Sequence, residues 1–180
     1  ACLTKKRDKI ITFQSCSKTY AMTGWRIGYI AACQEVVSAI SKLQGQSTSC
    51  PNSVAQYAAI EALSGDQSSV ISMKETFHKR RDLILGCLDK IPNISCSVPE
   101  GAFYVFPNFK KYIGMKDQNQ NIIRSSTDLS LYILDQTGVV SVAGDSFGAP
   151  DYIRFSYATS ESTIKKAMSL VKNTLKKLSF

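Results

Sequence analysis

Ser15, Ser17, Lys18 and Arg26 are residues whose types and spacing could do chemistry together. They lie between two apolar, strand-like runs, Ile10-Ile11-Thr12-Phe13 and Ile27 to Ala32. Small hydroxyls beside a turn, followed by a guanidinium, suit a dianionic phosphate. Ser15 and Ser17 would donate hydrogen bonds to its oxygens, and the Arg26 fork would bind it bidentately. Lys18 sits between these groups in the sequence, where its amine could meet an aldehyde carried by the same ligand. A lone lysine is more commonly a solvated surface residue, so the reading rests on the company it keeps. A second candidate lies far downstream, in Tyr152-Ile153-Arg154-Phe155-Ser156-Tyr157-Ala158. Alternation along a strand points Ile153, Phe155 and Tyr157 one way and Arg154 and Ser156 the other. An arginine among large apolar residues is costly on a half-buried strand unless an anion meets it. The plainer alternative is an edge-strand arginine facing solvent.

These side chains need elements to hold them. Residues 10–14 and 27–32 read as strands, with the lysine motif as their connection. Gln34 to Leu43 carries Val36, Val37, Ile40 and Leu43 at helical spacing, and Gln44 to Cys50 reads as a polar loop. Asn52 and Ser53, after Pro51, start a helix whose small-residue face runs through Val54, Ala55, Ala58, Ala59, Ala62 and Leu63 to a stop at Gly65. A longer helix is expected over about 67–91, with Val70, Met73, Phe77, Ile84, Leu88 and Ile91 as its stripe. Pro99 to Pro107 reads as a turn and an aromatic strand, with Phe103 and Tyr104 expected in the core. Residues 110–126 read as irregular, 127–136 as a helix closed by Gly138, and 139–142 as a strand. Ser160 caps a last helix with a buried stripe of Ile164, Met168, Val171, Leu175 and Leu178.

The order Ser15-Cys16-Ser17-Lys18, a short spacer, then Thr23-Gly24-Trp25-Arg26-Ile27-Gly28-Tyr29 resembles the lysine motif of the class I aminotransferases. These are pyridoxal-phosphate enzymes of the aspartate aminotransferase fold. Pro99-Glu100-Gly101-Ala102-Phe103-Tyr104, a Gly-x-x-Phe-Gly turn at Gly144–Gly148 and the Arg154 segment follow in family order. The wording of the two strongest motifs is most similar to the bacterial-type aspartate aminotransferases. The resemblance implies that Lys18 holds pyridoxal 5'-phosphate as a Schiff base. It implies that Ser15, Ser17 and Arg26 bind the cofactor phosphate, and that Arg154 binds the substrate α-carboxylate. It implies an α/β fold: residues 1–65 as the end of the cofactor-binding large domain, and 66–180 as an α+β small domain. The family residues that hold the cofactor ring lie upstream of the lysine motif. The chain therefore reads as a C-terminal half, expected to be inactive alone and to work in a cytoplasmic homodimer on an amino acid, aspartate first, and a 2-oxo acid. Two alternatives stay open: a non-catalytic fragment or small-domain module, and a β-eliminating lyase of the same fold.

Composition narrows the field. The 180 residues carry a formal charge of +8, but the positives are spread over helix faces and no nucleic-acid-binding module is recognisable. No apolar run approaches the ~20 residues of a membrane span. There is no initiator Met and no signal-peptide pattern. The six cysteines form no CxxC pair and are expected mostly as buried free thiols of a reducing compartment. With His78 the only histidine, a His-based metal site is not expected. Gly144-Asp145-Ser146-Phe147-Gly148 also matches the nucleophile elbow of α/β-hydrolases. That elbow needs a helix after the serine and a histidine further on. Here a second strand is expected to follow, and His78 precedes it.

Overall fold

The computed structural model describes residues 9–180. Cys2, one of the six cysteines, lies outside them. Two compact units divide between Ser72 and Met73. The first unit opens with β1 (Thr12–Ser15), the short α1 (Cys16–Thr19), a 3-10 turn at Thr23–Trp25 and β2 (Gly28–Ala31). β1 and β2 pair antiparallel, Thr12 opposite Ala31 and Ser15 opposite Gly28. α2 (Gln34–Ser47) and α3 (Ser53–Ser64) follow. α2 is a turn longer than its apolar stripe suggests, because Gln44 and Gln46 are good helix formers. The Ser47 hydroxyl also donates to the carbonyls of Leu43 and Gln44. Asn52 caps α3, its side-chain oxygen accepting from the N–H groups of Val54 and Ala55.

The face of α2 departs from expectation, as do Val54 and Leu63 of the expected α3 face, whereas the alanines of that face turn inward. Leu43 is 73% exposed and α2 buries no residue. α3 buries Ala55 and Ala59 and presents Val54, Tyr57 and Ile60 outward. Periodicity finds an apolar face but not what covers it. The buried core of this unit is accordingly small: Cys16, Met22 and Ala59.

α4 (Ser68–Leu88) contains the division between the units. The second unit holds β3 (Tyr104–Val105), α5 (Ser126–Thr137), β4 (Val142–Ala143), β5 (Ile153–Ser156) and α6 (Glu161–Leu175). Its sheet runs β3-β5-β4, antiparallel throughout. One face of the sheet, with Val105, Ile153 and Phe155, packs with Ile84 and Leu88 of α4, Leu129 and Ile133 of α5, and Val171 and Leu175 of α6. Each of these side chains contributes about 1.5–3 kcal/mol by leaving water. All five stripe residues expected of the last helix are buried. Ser160 caps α6 by accepting from the Thr163 N–H, and Gly138 ends α5 in the left-handed region at φ 70°.

Three further expectations are corrected. The strands around Tyr104 and Val142 are two residues each. Residues 110–126 are less irregular than read, with a 3-10 turn at Lys110–Tyr112 and Asp117 accepting from the N–H groups of Asn119 and Asn121. Of the described cysteines only Cys16 is buried; Cys33, Cys87 and Cys96 are intermediate and Cys50 exposed.

Candidate functional site

The β1–β2 connection gathers four of the five expected site residues. Ser15 ends β1 and caps α1: its hydroxyl accepts from the Ser17 N–H at 3.1 Å and donates to the Ser17 hydroxyl at 2.9 Å. Lys18 follows on the same turn and is exposed. Cys16 faces the opposite way, fully buried against Met22 and Ala59, and fixes the turn to the unit's core. The Cys16 N–H reaches the Ile27 carbonyl at 3.4 Å. The two hydroxyls therefore leave one strand where Arg26 enters the other. Arg26 is exposed, and its Nη1 donates to the Thr23 carbonyl at 3.1 Å. Beside it, Trp25, Asn52 and Val54 line an open pocket.

Two non-glycine residues of this turn, Ala21 and Arg26, hold φ of 53° and 52°. A side chain in the left-handed region costs about 1 kcal/mol, and such strain collects at functional sites. No sequence signal marked either position. Gly28 carries a different constraint: a Cβ there would lie 2.7 Å from the Gln14 carbonyl oxygen across the ladder.

Arg154 belongs to the second unit, on β5, and is half-buried. Its guanidinium carbon stands 4.2 Å from the ring centroid of Tyr104 and 4.7 Å from that of Phe147. Among the described residues no carboxylate pairs with it. A guanidinium packed by rings can still bind an anion through two parallel in-plane hydrogen bonds. Phe103 packs against the core as expected, but Tyr104 does not: it pairs with Ser156 and so shares the opposite sheet face with Arg154. The alternation of Tyr104 and Phe106 about buried Val105 was the available signal for that side.

The Gly144–Gly148 segment is not a nucleophile elbow. It is a 3-10 turn closed by Gly148 at φ 69°, and the next element is β5, not a helix. Ser146 is exposed. Asp145 accepts from the hydroxyls of Ser126 and Thr127, both at 2.8 Å, and from the Thr127 N–H at 3.2 Å. These bonds, that to the Thr127 side chain first, hold its carboxyl below the usual range. Among the described residues no cluster of metal-ligating side chains occurs, and no helix is long and apolar enough to cross a membrane.

A family model described as aminotransferase class I and II matches residues 1–171. An aspartate aminotransferase of Rhizobium meliloti (strain 1021) is 39% identical over 173 residues, which cover 96% of this chain and 42% of that protein. An asparagine–oxo-acid transaminase of Streptococcus mutans is 42% identical over 170 residues, covering 94% of this chain and 42% of that protein. The crystal structure of the aspartate aminotransferase from Rhizobium meliloti superposes with a TM-score of 0.93 at 39% identity, over 96% of this chain and 43% of that one. The chain thus spans about two-fifths of the length of the relatives it matches.

Proposed function

The chain belongs to the class I and II aminotransferases, and we propose that it carries the lysine and the carboxylate anchor of a pyridoxal-phosphate-dependent transaminase acting on aspartate or a close analogue. The observation that carries this reading is the set of donors on one short connection: two hydroxyls, an amine and a guanidinium at Ser15, Ser17, Lys18 and Arg26. The set fits the cofactor's chemistry, with hydrogen-bond donors for a dianionic phosphate and a primary amine for an aldehyde. When bound, pyridoxal phosphate supplies an electron sink that acidifies the Cα–H of an attached amino acid. Lys18 is the residue that would hold the aldehyde carbon, through Nζ. Its amine, when free, would take the substrate Cα proton as base and return it as acid. Arg154 grips the α-carboxylate through its in-plane donors. Aspartate as substrate is supported by the relatives, which include an aspartate aminotransferase and an asparagine–oxo-acid transaminase.

Residues 1–65 read as the end of a cofactor-binding domain and 66–180 as a smaller domain carrying the carboxylate anchor. The outward apolar residues Leu43, Tyr57 and Ile60 support an interface there, as a homodimer with a completed cofactor-binding domain provides. A cytoplasmic location is part of the same reading.

The test is a pyridoxal-phosphate titration of this chain, followed by borohydride reduction and peptide mass mapping. Selective label on Lys18, weakened by Arg26→Ala, is the expected result. Label scattered over surface lysines, unchanged by Arg26→Ala, would overturn the assignment of Lys18 and its phosphate donors.

A further inference from the structure

The segment from Gly144 to Gly148 has no part in the chemistry proposed above, yet it is among the most constrained turns of the second unit. A Cβ at Gly144 would collide with the Ala149 carbonyl oxygen and lie 2.6 Å from that of Tyr152. The Gly144 N–H donates to the Tyr152 carbonyl at 2.7 Å, and the Ala149 N–H to the Gly144 carbonyl at 2.9 Å. Asp145 ties the turn to the start of α5 through Ser126 and Thr127. The turn is therefore pinned at both the sheet and a helix. What it projects is Phe147, 49% exposed, with Arg154 beneath its ring.

The neighbours continue the pattern. Tyr104, diagonal to Arg154 through the Tyr104–Ser156 pair, supplies a second ring over the guanidinium. Phe106, two residues on and on the same face, meets Phe147 edge-on at 5.9 Å and packs on Tyr152 at 5.1 Å. Phe147 is thus held from behind by a ring that is held in turn.

Resting on the reading of Arg154 as the carboxylate anchor, we propose that Phe147 and Tyr104 are positioning residues that clamp its guanidinium, and that the Gly144–Gly148 turn is the device that delivers Phe147. A free arginine samples many rotamers and gives up that freedom on gripping a carboxylate; one already packed against two rings has lost it beforehand. The two rings also displace water from the cation, so the charge seen by an incoming carboxylate is less screened. The turn that resembled a nucleophile elbow would then act through its phenylalanine, not its serine.

The experiment follows the Cζ resonance of Arg154 by NMR in the full 180-residue chain carrying isotope-labelled arginine, assigned by its loss in Arg154→Lys. Acetate is the probe and chloride the control anion. Phe147→Leu keeps the bulk and removes the ring; Phe147→Tyr keeps the ring. Acetate is expected to shift Arg154 in the wild type. Phe147→Leu should weaken that binding roughly three- to tenfold, the range that loss of one cation–π contact implies. Phe147→Tyr should restore it. The ring-current displacement of Arg154 should also shrink in Phe147→Leu to the part that Tyr104 supplies, a readout that a merely structural turn would leave alone. Acetate binding at Arg154 with the same affinity in Phe147→Leu would overturn the clamp while leaving Arg154 as the carboxylate anchor. No acetate-dependent shift at Arg154 in any variant would overturn the anchor itself, and the clamp with it.

Discussion

Two glycines of the lysine motif look equivalent in the sequence and are not equivalent in the fold. Gly28 sits opposite Ser15, where an added methyl would lie 2.7 Å from the Gln14 carbonyl oxygen, a backbone atom that cannot swing aside. Gly24 has nothing within 4 Å of the same position. Gly28→Ala must therefore push β1 and β2 apart at the end that carries the serines and the lysine. It should cost about 1–3 kcal/mol, the usual penalty of overpacking. Gly24→Ala should change stability by no more than about 0.5 kcal/mol, as ordinary surface changes do. Urea midpoints of the two variants, read on the first unit, check the pair. Equal losses would mean that the motif's glycines serve the backbone alike and that the close approach at Gly28 is relieved at no cost.

At the scale of the element, Asp145 is the joint between a turn and a helix. Its carboxylate accepts two hydroxyls and an N–H at the first turn of α5, where negative charge is also favoured by the helix dipole. Its folded pKa lies below the ordinary carboxylate value. A depressed folded pKa contributes stability that is present above the unfolded value, about 3.9 for aspartate. That stability is lost as pH falls through the folded value. Asp145→Asn should then unfold at lower urea than the wild type at neutral pH, and the gap should close as pH drops below about 4. A gap that holds constant down to strong acid would show that the charge contributes nothing. This joint was only half legible in the sequence. The glycine spacing announced a turn, and the caps Asn52 and Ser160 and the stop at Gly138 could be read from local chemistry. A side chain that reaches from one element to another, as Asp145 does to Ser126, leaves no local trace. For the same reason Lys18 and Arg154 were legible as residue types in a pattern, whereas the rings around Arg154 emerged only once register put Tyr104 on its face.

At the scale of the molecule, the two units are unequally built. Seventeen buried apolar residues form the core of the second unit, against three in the first among the described residues. α6 was read correctly from its period because its own unit supplies the cover. α3 has the reverse arrangement, alanines inside and large apolar residues outside, with Tyr57 76% exposed. A helix gains little by hiding methyl groups and loses by wetting Val54, Tyr57 and Ile60. Local opening is cheapest where few apolar contacts must break. Hydrogen exchange on this chain should therefore separate the units. Amides of α5, β5 and α6 should be the slowest, opening only with global unfolding, while α2 and α3 exchange orders of magnitude faster. Tyr57→Ser with Ile60→Lys should leave α5 and α6 protection unchanged and lower the binding of a hydrophobic dye. If α2 and α3 proved as protected as α6 at every protein concentration, the small first core would suffice by itself, and the outward face of α3 would need no partner. Protection of α2 and α3 that rises with concentration would instead show one copy covering another, the arrangement expected of a face that is completed by association.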